Sequence, residues 1–153
     1  MKTFTNLLLT VVASSFILTA CHKDCDLKHE ITSKNLPVTG RQEVPQRETK
    51  AHGKMDVSYN KKTKVLSFRV RWNDLTGIPI GSHIHGEAPR GVNAGIVYGF
   101  TDALPKTTSG TFSDSVVVDE IAIKEAGLLA GLYYLNIHTP MFPGGEIRGQ
   151  IEF

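Results

Sequence analysis

Between Met55 and Trp72 the chain alternates apolar and polar residues on both sides of a turn, and that pattern leaves little freedom of fold. Met55, Val57 and Tyr59 alternate with Asp56 and Ser58, and Asn60-Lys61-Lys62-Thr63 supplies a hairpin turn. Leu66, Phe68, Val70 and Trp72 then share one face, while Ser67, Arg69 and Arg71 share the other. Successive side chains of a strand point to opposite faces, so a period of two predicts a sheet with one face in a core and one in water. Further strand signals fall at 81–85, 95–100, 110–117, 132–138 and 146–153, with Gly, Pro, Asn and Asp between them. One segment departs from this: Asp119 is placed to cap a short helix through about Ala126, with Gly127 as its stop. Seven or eight strands without alternating helices predict an all-β fold, an antiparallel β-sandwich with one short helix.

The ends of the chain set its domain organisation. Lys2 and an apolar stretch from Leu7 to Leu18 have the length of a signal peptide and fall short of a bilayer-spanning helix. The stretch ends in Leu18-Thr19-Ala20-Cys21, which resembles a bacterial lipobox, so residues 1–20 are expected to be removed and Cys21 lipidated. Each buried acyl CH₂ contributes about 0.8 kcal/mol, so several acyl chains on one residue would hold the protein on a membrane. His22 follows Cys21 where aspartate would favour inner-membrane retention, and the expected location is the outer membrane of a bacterial cell envelope. Residues 21–35 are polar and read as a flexible tether. Residues 36–153 then form one domain of sufficient length for a core.

Charge and cysteine content exclude several functions. The net charge is +2, and one of those charges is Lys2 in the leader, so nothing favours nucleic acid as a partner. There are two cysteines. With Cys21 lipidated, Cys25 is the one free thiol, so no internal disulfide can staple the domain. A lone thiol in a tether also argues against cysteine catalysis. Neither a phosphate-binding Gly-rich loop nor a Gly-x-Ser-x-Gly elbow occurs. No sequence pattern specifies an oligomeric state.

Two tracts carry the chemistry. Ser82-His83-Ile84-His85-Gly86 puts two imidazoles on one face of a strand, and Asn136-Ile137-His138-Thr139 offers a third on another strand. Three neutral imidazoles with an open position suit copper or zinc, with Glu87, Glu146 and Thr139 as candidates to orient them. Histidines beside Gly and Pro turns also brace loops by bonding carbonyls, and the tracts fit that role as well. Arg148 has Glu146 or Glu43 as candidate partners. Trp72 reads as a core aromatic, or as a ring that stacks on a sugar at a rim.

A family resemblance rests on Glu43-Val44-Pro45, His83-Ile84-His85-Gly86 with Pro89 and Gly91, Leu128-Leu129-Ala130-Gly131, Ile137-His138-Thr139 and Phe142-Pro143-Gly144-Gly145-Glu146-Ile147-Arg148-Gly149-Gln150. In that order these blocks resemble a CHRD domain, the module named from chordin, over roughly Leu36 to Phe153. Gln46 and Ala51-His52-Gly53 depart from the usual pattern, and His52 is an imidazole without a counterpart in it. The resemblance implies a sandwich of immunoglobulin-like or Cu/Zn superoxide-dismutase-like shape and no settled enzymatic activity. The expected function is therefore a non-enzymatic binding module on the envelope, with copper or zinc on His83, His85 and His138. The alternative is an interaction module for an extracellular protein or glycan, marked by an exposed apolar or aromatic patch near Trp72, Tyr98 or Phe142. A superoxide dismutase-like enzyme ranks below both, because no further His/Asp cluster follows His85.

Overall fold

A computed structural model describes residues 29–153. The lipobox with Cys21, Cys25 and most of the expected tether lie outside the described residues. Among the described residues no helix is long and apolar enough to cross a membrane.

The chain is all-β. Its strands are β1 (Glu30–Thr39), β2 (His52–Asn60), β3 (Val65–Asn73), β4 (Gly81–Gly86), β5 (Ile96–Gly99), β6 (Gly110–Val117), β7 (Tyr133–His138) and β8 (Ile147–Ile151). They form one antiparallel sheet in the order β5-β4-β7-β8-β1-β2-β3-β6. The hairpin of the opening pattern is β2–β3, where Tyr59 faces Leu66, Val57 faces Phe68 and Met55 faces Val70. All six are buried, and Arg69 on the opposite face is exposed. Asn60 Oδ1 closes the turn by accepting from the N–H groups of Lys62 and Thr63.

The expected two-sheet sandwich takes a less divided form. The sheet is continuous, but its halves are joined at β1 and β8 by a single ladder pair, Thr39 with Arg148. Beyond that joint the halves fold toward each other until edge strands β5 and β6 meet through side chains. Tyr98 donates to Asp114 Oδ2 at 2.9 Å, and the rings just after β5 and within β6, Phe100 and Phe112, stack 5.2 Å apart. The sheet thus nearly closes into a barrel around Met55, Leu66, Phe68, Val70, Trp72, Ile84, Leu135, Ile137 and Ile147. Trp72 is 1% exposed and its Nε1 donates to Thr107 O, which makes it a core residue and removes it as a sugar platform.

Two expectations need correction. The tether does not extend to residue 35, because β1 begins at Glu30 and pairs with β2 from there. Between Ser33 and Leu36 the strand carries one extra residue against β2, with Asn35 at φ 58°. This bulge interrupts the alternation of Ile31 and Ser33 with Leu36 and Val38, and so hides the strand. The helix, α1, spans Glu125–Leu129 and starts later than expected. Asp119 Oδ1 instead accepts from the N–H groups of Ile121, Ala122 and Ile123 in a turn before it. Gly127 lies inside α1, and Gly131, at φ 70°, is the left-handed residue after it.

Candidate metal centre

Strands β7 and β8 are buried on both faces. Leu135, Ile137, Ile147 and Ile151 fill the core, while the residues between them point outward beneath a cover of loops. The outward set is polar. One row across the sheet is His83, Asn136 and Arg148; the next is His85, Tyr134 and Gln150; His138 faces Gly81. The cover comes from the segment around Glu43, the loop before β5 and the loop between β7 and β8. Asn93 of the second loop donates to Val44 O of the first, and Arg47 Nε donates to Gly145 O of the third.

The three histidines converge. One ring nitrogen from each of His83, His85 and His138 lies within 4.8 Å of the others. Strand geometry brings this about: His83 and His85 are two apart on β4, and His138 sits on the neighbouring β7. Gly81 makes the room, since a Cβ there would lie 3.2 Å from His83 Cε1 and 3.3 Å from His138 Cδ2.

Each ring is also gripped from outside. His138 Nδ1 lies 2.9 Å from Pro143 O, and His85 Nδ1 lies 2.9 Å from Ala94 O. A carbonyl only accepts, so both Nδ1 atoms carry hydrogen. His83 Nε2 faces Thr101 Oγ1 at 3.5 Å. Burial, then the neighbouring imidazoles, push the His83 pKa down to about 4. Burial likewise lowers that of His138 against the opposing pull of the Pro143 carbonyl. A neutral His138 with its proton on Nδ1 presents a bare lone pair at Nε2. That atom is 3.0 Å from His83 Nδ1 and 2.9 Å from Asn136 Oδ1. His85 Nε2 is 3.1 Å from the same Asn136 oxygen.

The residues named as orienting candidates act elsewhere. Glu146 is fully buried and accepts from the hydroxyls of Thr49, Thr76 and Thr139 and from Thr76 N–H. Thr139 is thereby committed to Glu146, and Glu87 meets Tyr133 and Lys124. Backbone carbonyls took the orienting role, and sequence carries no signal for them. Arg148 is not paired with Glu146. Its guanidinium lies 3.3 Å above the Tyr134 ring, whose other neighbour is the His85 imidazole, stacked at 4.8 Å. It donates to Val92 O and Asn93 Oδ1, and contributes only a longer-range attraction to Glu43. His52 is exposed and remote from the three.

Sequence reasoning missed Asn136 and Glu43 as parts of this site. Asn136 alternates with Tyr134 and His138 on β7, so strand period alone places it on the histidine face. Glu43 is 4% exposed, with Oε1 lacking a hydrogen-bond partner. Burial raises its pKa to about 7 against the opposing influence of Arg148, Arg47, Val44 N–H and the Asn136 amide.

The arrangement fits a divalent transition metal. Tetrahedral ligands bonded at ~2.0–2.1 Å stand roughly 3.3 Å from one another; the His83–His138 nitrogens at 3.0 Å meet that spacing, and the wider separations, up to 4.8 Å, need the rings to draw in. Imidazole nitrogen with oxygen suits zinc and Cu(II). In comparisons with known proteins, the family model for the CHRD domain matches residues 35–151. No curated protein and no solved structure matches the chain.

Proposed function

Because the chain belongs to the CHRD domain family, we propose that it is a non-enzymatic binding module whose bound species is a copper or zinc ion held by His83, His85 and His138. One observation carries the reading. One nitrogen of each imidazole lies within 4.8 Å of the other two, while each opposite nitrogen faces a protein oxygen. Histidine ligands are oriented in this way, by an outer hydrogen bond that fixes the tautomer. In this reading the lipobox-like Leu18-Thr19-Ala20-Cys21 anchors the domain to a bacterial envelope, an oxidising compartment that favours Cu(II). No nucleic-acid role follows from the charge.

The competing reading keeps the same histidines as braces, with the His83–His138 contact at 3.0 Å as an ordinary hydrogen bond. It leaves an extracellular protein or glycan as the ligand. Of the rings named for such a surface, Trp72 is buried, while Tyr98 and Phe142 are half-buried, beside the exposed Ile96 and Met141 respectively. A dismutase-like enzyme has the least support, since the cluster contains three histidines and no bridging ligand set.

Elemental analysis of residues 22–153, purified without chelator or histidine tag, tests the proposal. About one copper or zinc per chain is expected. Calorimetric titration with Cu(II) should then show one site in the parent and none in the His83→Ala/His85→Ala/His138→Ala variant. Unchanged binding in that variant would refute it. An ion that binds only the folded state at 100 times its Kd adds about 2.7 kcal/mol, so the parent's Tm should rise with metal and the variant's should not.

A further inference from the structure

Resting on that reading, we propose that Asn136 is the fourth ligand of the ion through Oδ1, and that Glu43 is the positioning residue that aims it. The first ground is where the oxygen sits. Asn136 Oδ1 stands 2.9 Å from His138 Nε2 and 3.1 Å from His85 Nε2. Asn136 is 3% exposed, so bulk water does not separate these groups.

The second ground is the proton count. His138 Nδ1 gives its hydrogen to Pro143 O, and His85 Nδ1 gives its own to Ala94 O. A neutral ring held so has only a lone pair at Nε2. Two nitrogen lone pairs and an amide oxygen then meet in a buried place with a single available hydrogen, that of His83 Nδ1 toward His138 Nε2. Buried acceptors without donors are costly. A cation at their centre satisfies all of them at once. Displacing the His83 Nδ1 proton to Nε2, where Thr101 Oγ1 lies 3.5 Å away, frees the third nitrogen without changing the ring's charge.

The third ground is the other end of the amide. Asn136 Nδ2 and Glu43 Oε1 flank the same point beside Gly145, 2.9 Å and 2.4 Å from where a Cβ would stand. With Nδ2 directed at Glu43, a carboxyl with an unfilled acceptor, Oδ1 is left facing the imidazoles. The opposite amide orientation would set Oδ1 against that acceptor. Glu43 thus selects the orientation that offers oxygen to the ion, and Glu43 itself touches none of the three histidines.

Co(II) is the probe, because its visible absorption separates four-coordinate protein ligation from a site completed by water. With Co(II), residues 22–153 should give intense tetrahedral bands. Asn136→Ala should weaken those bands and lower affinity about 10- to 100-fold, the range for altering a metal's supporting groups. Asn136→Asp keeps the oxygen toward the ion but sets its second oxygen against Glu43, so it is combined with Glu43→Gln, whose amide can donate to it; this double variant should retain the bands, and it serves if the alanine variant does not fold. Glu43→Leu should lower affinity, whereas Glu43→Gln, which keeps an acceptor, should restore it. A purely structural Glu43 would shift Tm in both variants without that split in affinity. Loss of the tetrahedral bands in Asn136→Asp/Glu43→Gln, or parental affinity and bands in Asn136→Ala, would overturn the fourth ligand and leave the three-histidine site standing. Absence of Co(II) binding by the parent would overturn the site itself.

Discussion

Glu43 and His83 titrate in opposite senses within one buried face. Burial raises the Glu43 pKa to about 7 from 4.5, so the folded protein binds more protons there than the unfolded chain across that interval. Stability from this group is fully present below pH 4.5 and is lost as pH rises through 7. His83 is depressed from 6.5 to about 4, so its contribution is present above pH 6.5 and is lost as pH falls through 4. The two slopes oppose each other between pH 4.5 and 6.5. Glu43→Gln removes one of them. In the presence of chelator its Tm should exceed the parent's at pH 8 and match it near pH 4, the gain at pH 8 being worth about 3 kcal/mol. A gain independent of pH would mean that packing, and not ionisation, distinguishes Gln from Glu. Gly81 gives a second residue-scale prediction. Gly81→Ala sets a Cβ within 3.3 Å of both His83 and His138, so the rings must shift. Affinity for Cu(II) should fall, about 10-fold or more by analogy with disturbed supporting groups, while a circular dichroism spectrum should stay that of the parent.

Among the elements, β7 and the loop after it govern the site. His138 is held from two sides, by its strand and by Pro143 O in the loop that follows. That loop is fastened by Glu146, whose carboxylate gathers Thr49, Thr76 and Thr139 from three segments. Glu146→Ala would leave several buried donors unmet, each worth about 1–3 kcal/mol, so urea denaturation should show a loss of about 3 kcal/mol or more. A loss under 1 kcal/mol would mean that water replaces the carboxylate. The strands nearest the site were legible from residues alone. Period two placed His83 and His85 together, and the strands expected at 81–85 and 132–138 lie within one residue of β4 and β7. The neighbour relation of β4 and β7 was not legible, because pairing between distant strands leaves no local pattern. The outer hydrogen bonds were hidden for a related reason. Pro143 and Ala94 act through backbone oxygens that every residue possesses.

At the scale of the whole molecule, closure depends on β1. It is the strand between the two halves of the sheet, bound along its length to β2 and by one pair to β8. Its bulge between Ser33 and Leu36 admits Asp56, whose carboxylate takes Asn35 N–H and a bidentate bond from Arg71. Those bonds hold the Asp56 pKa below the usual carboxylate range. Breaking the alternation therefore concealed the strand while tying the bulge to the sheet. Residues 30–33 also lie against the end of β2, where Ile31 faces the fully buried Tyr59. A chain starting at Leu36 loses this ladder segment and uncovers that part of the core, though it retains every residue of the metal centre. Ile31 is half-buried, so it contributes part of the roughly 1.5–3 kcal/mol of a fully buried side chain, and the lost ladder bonds add to it. Relative to residues 22–153, residues 36–153 should therefore melt roughly 5–15 °C lower. Below that lower transition, Cu(II) affinity should be unchanged, because Pro143, Ala94 and the three histidines all lie on the retained side. Equal melting temperatures would mean that residues 30–35 contribute nothing to the fold; weakened Cu(II) binding well below the transition would mean that sheet closure, and not only local strand geometry, sets the site.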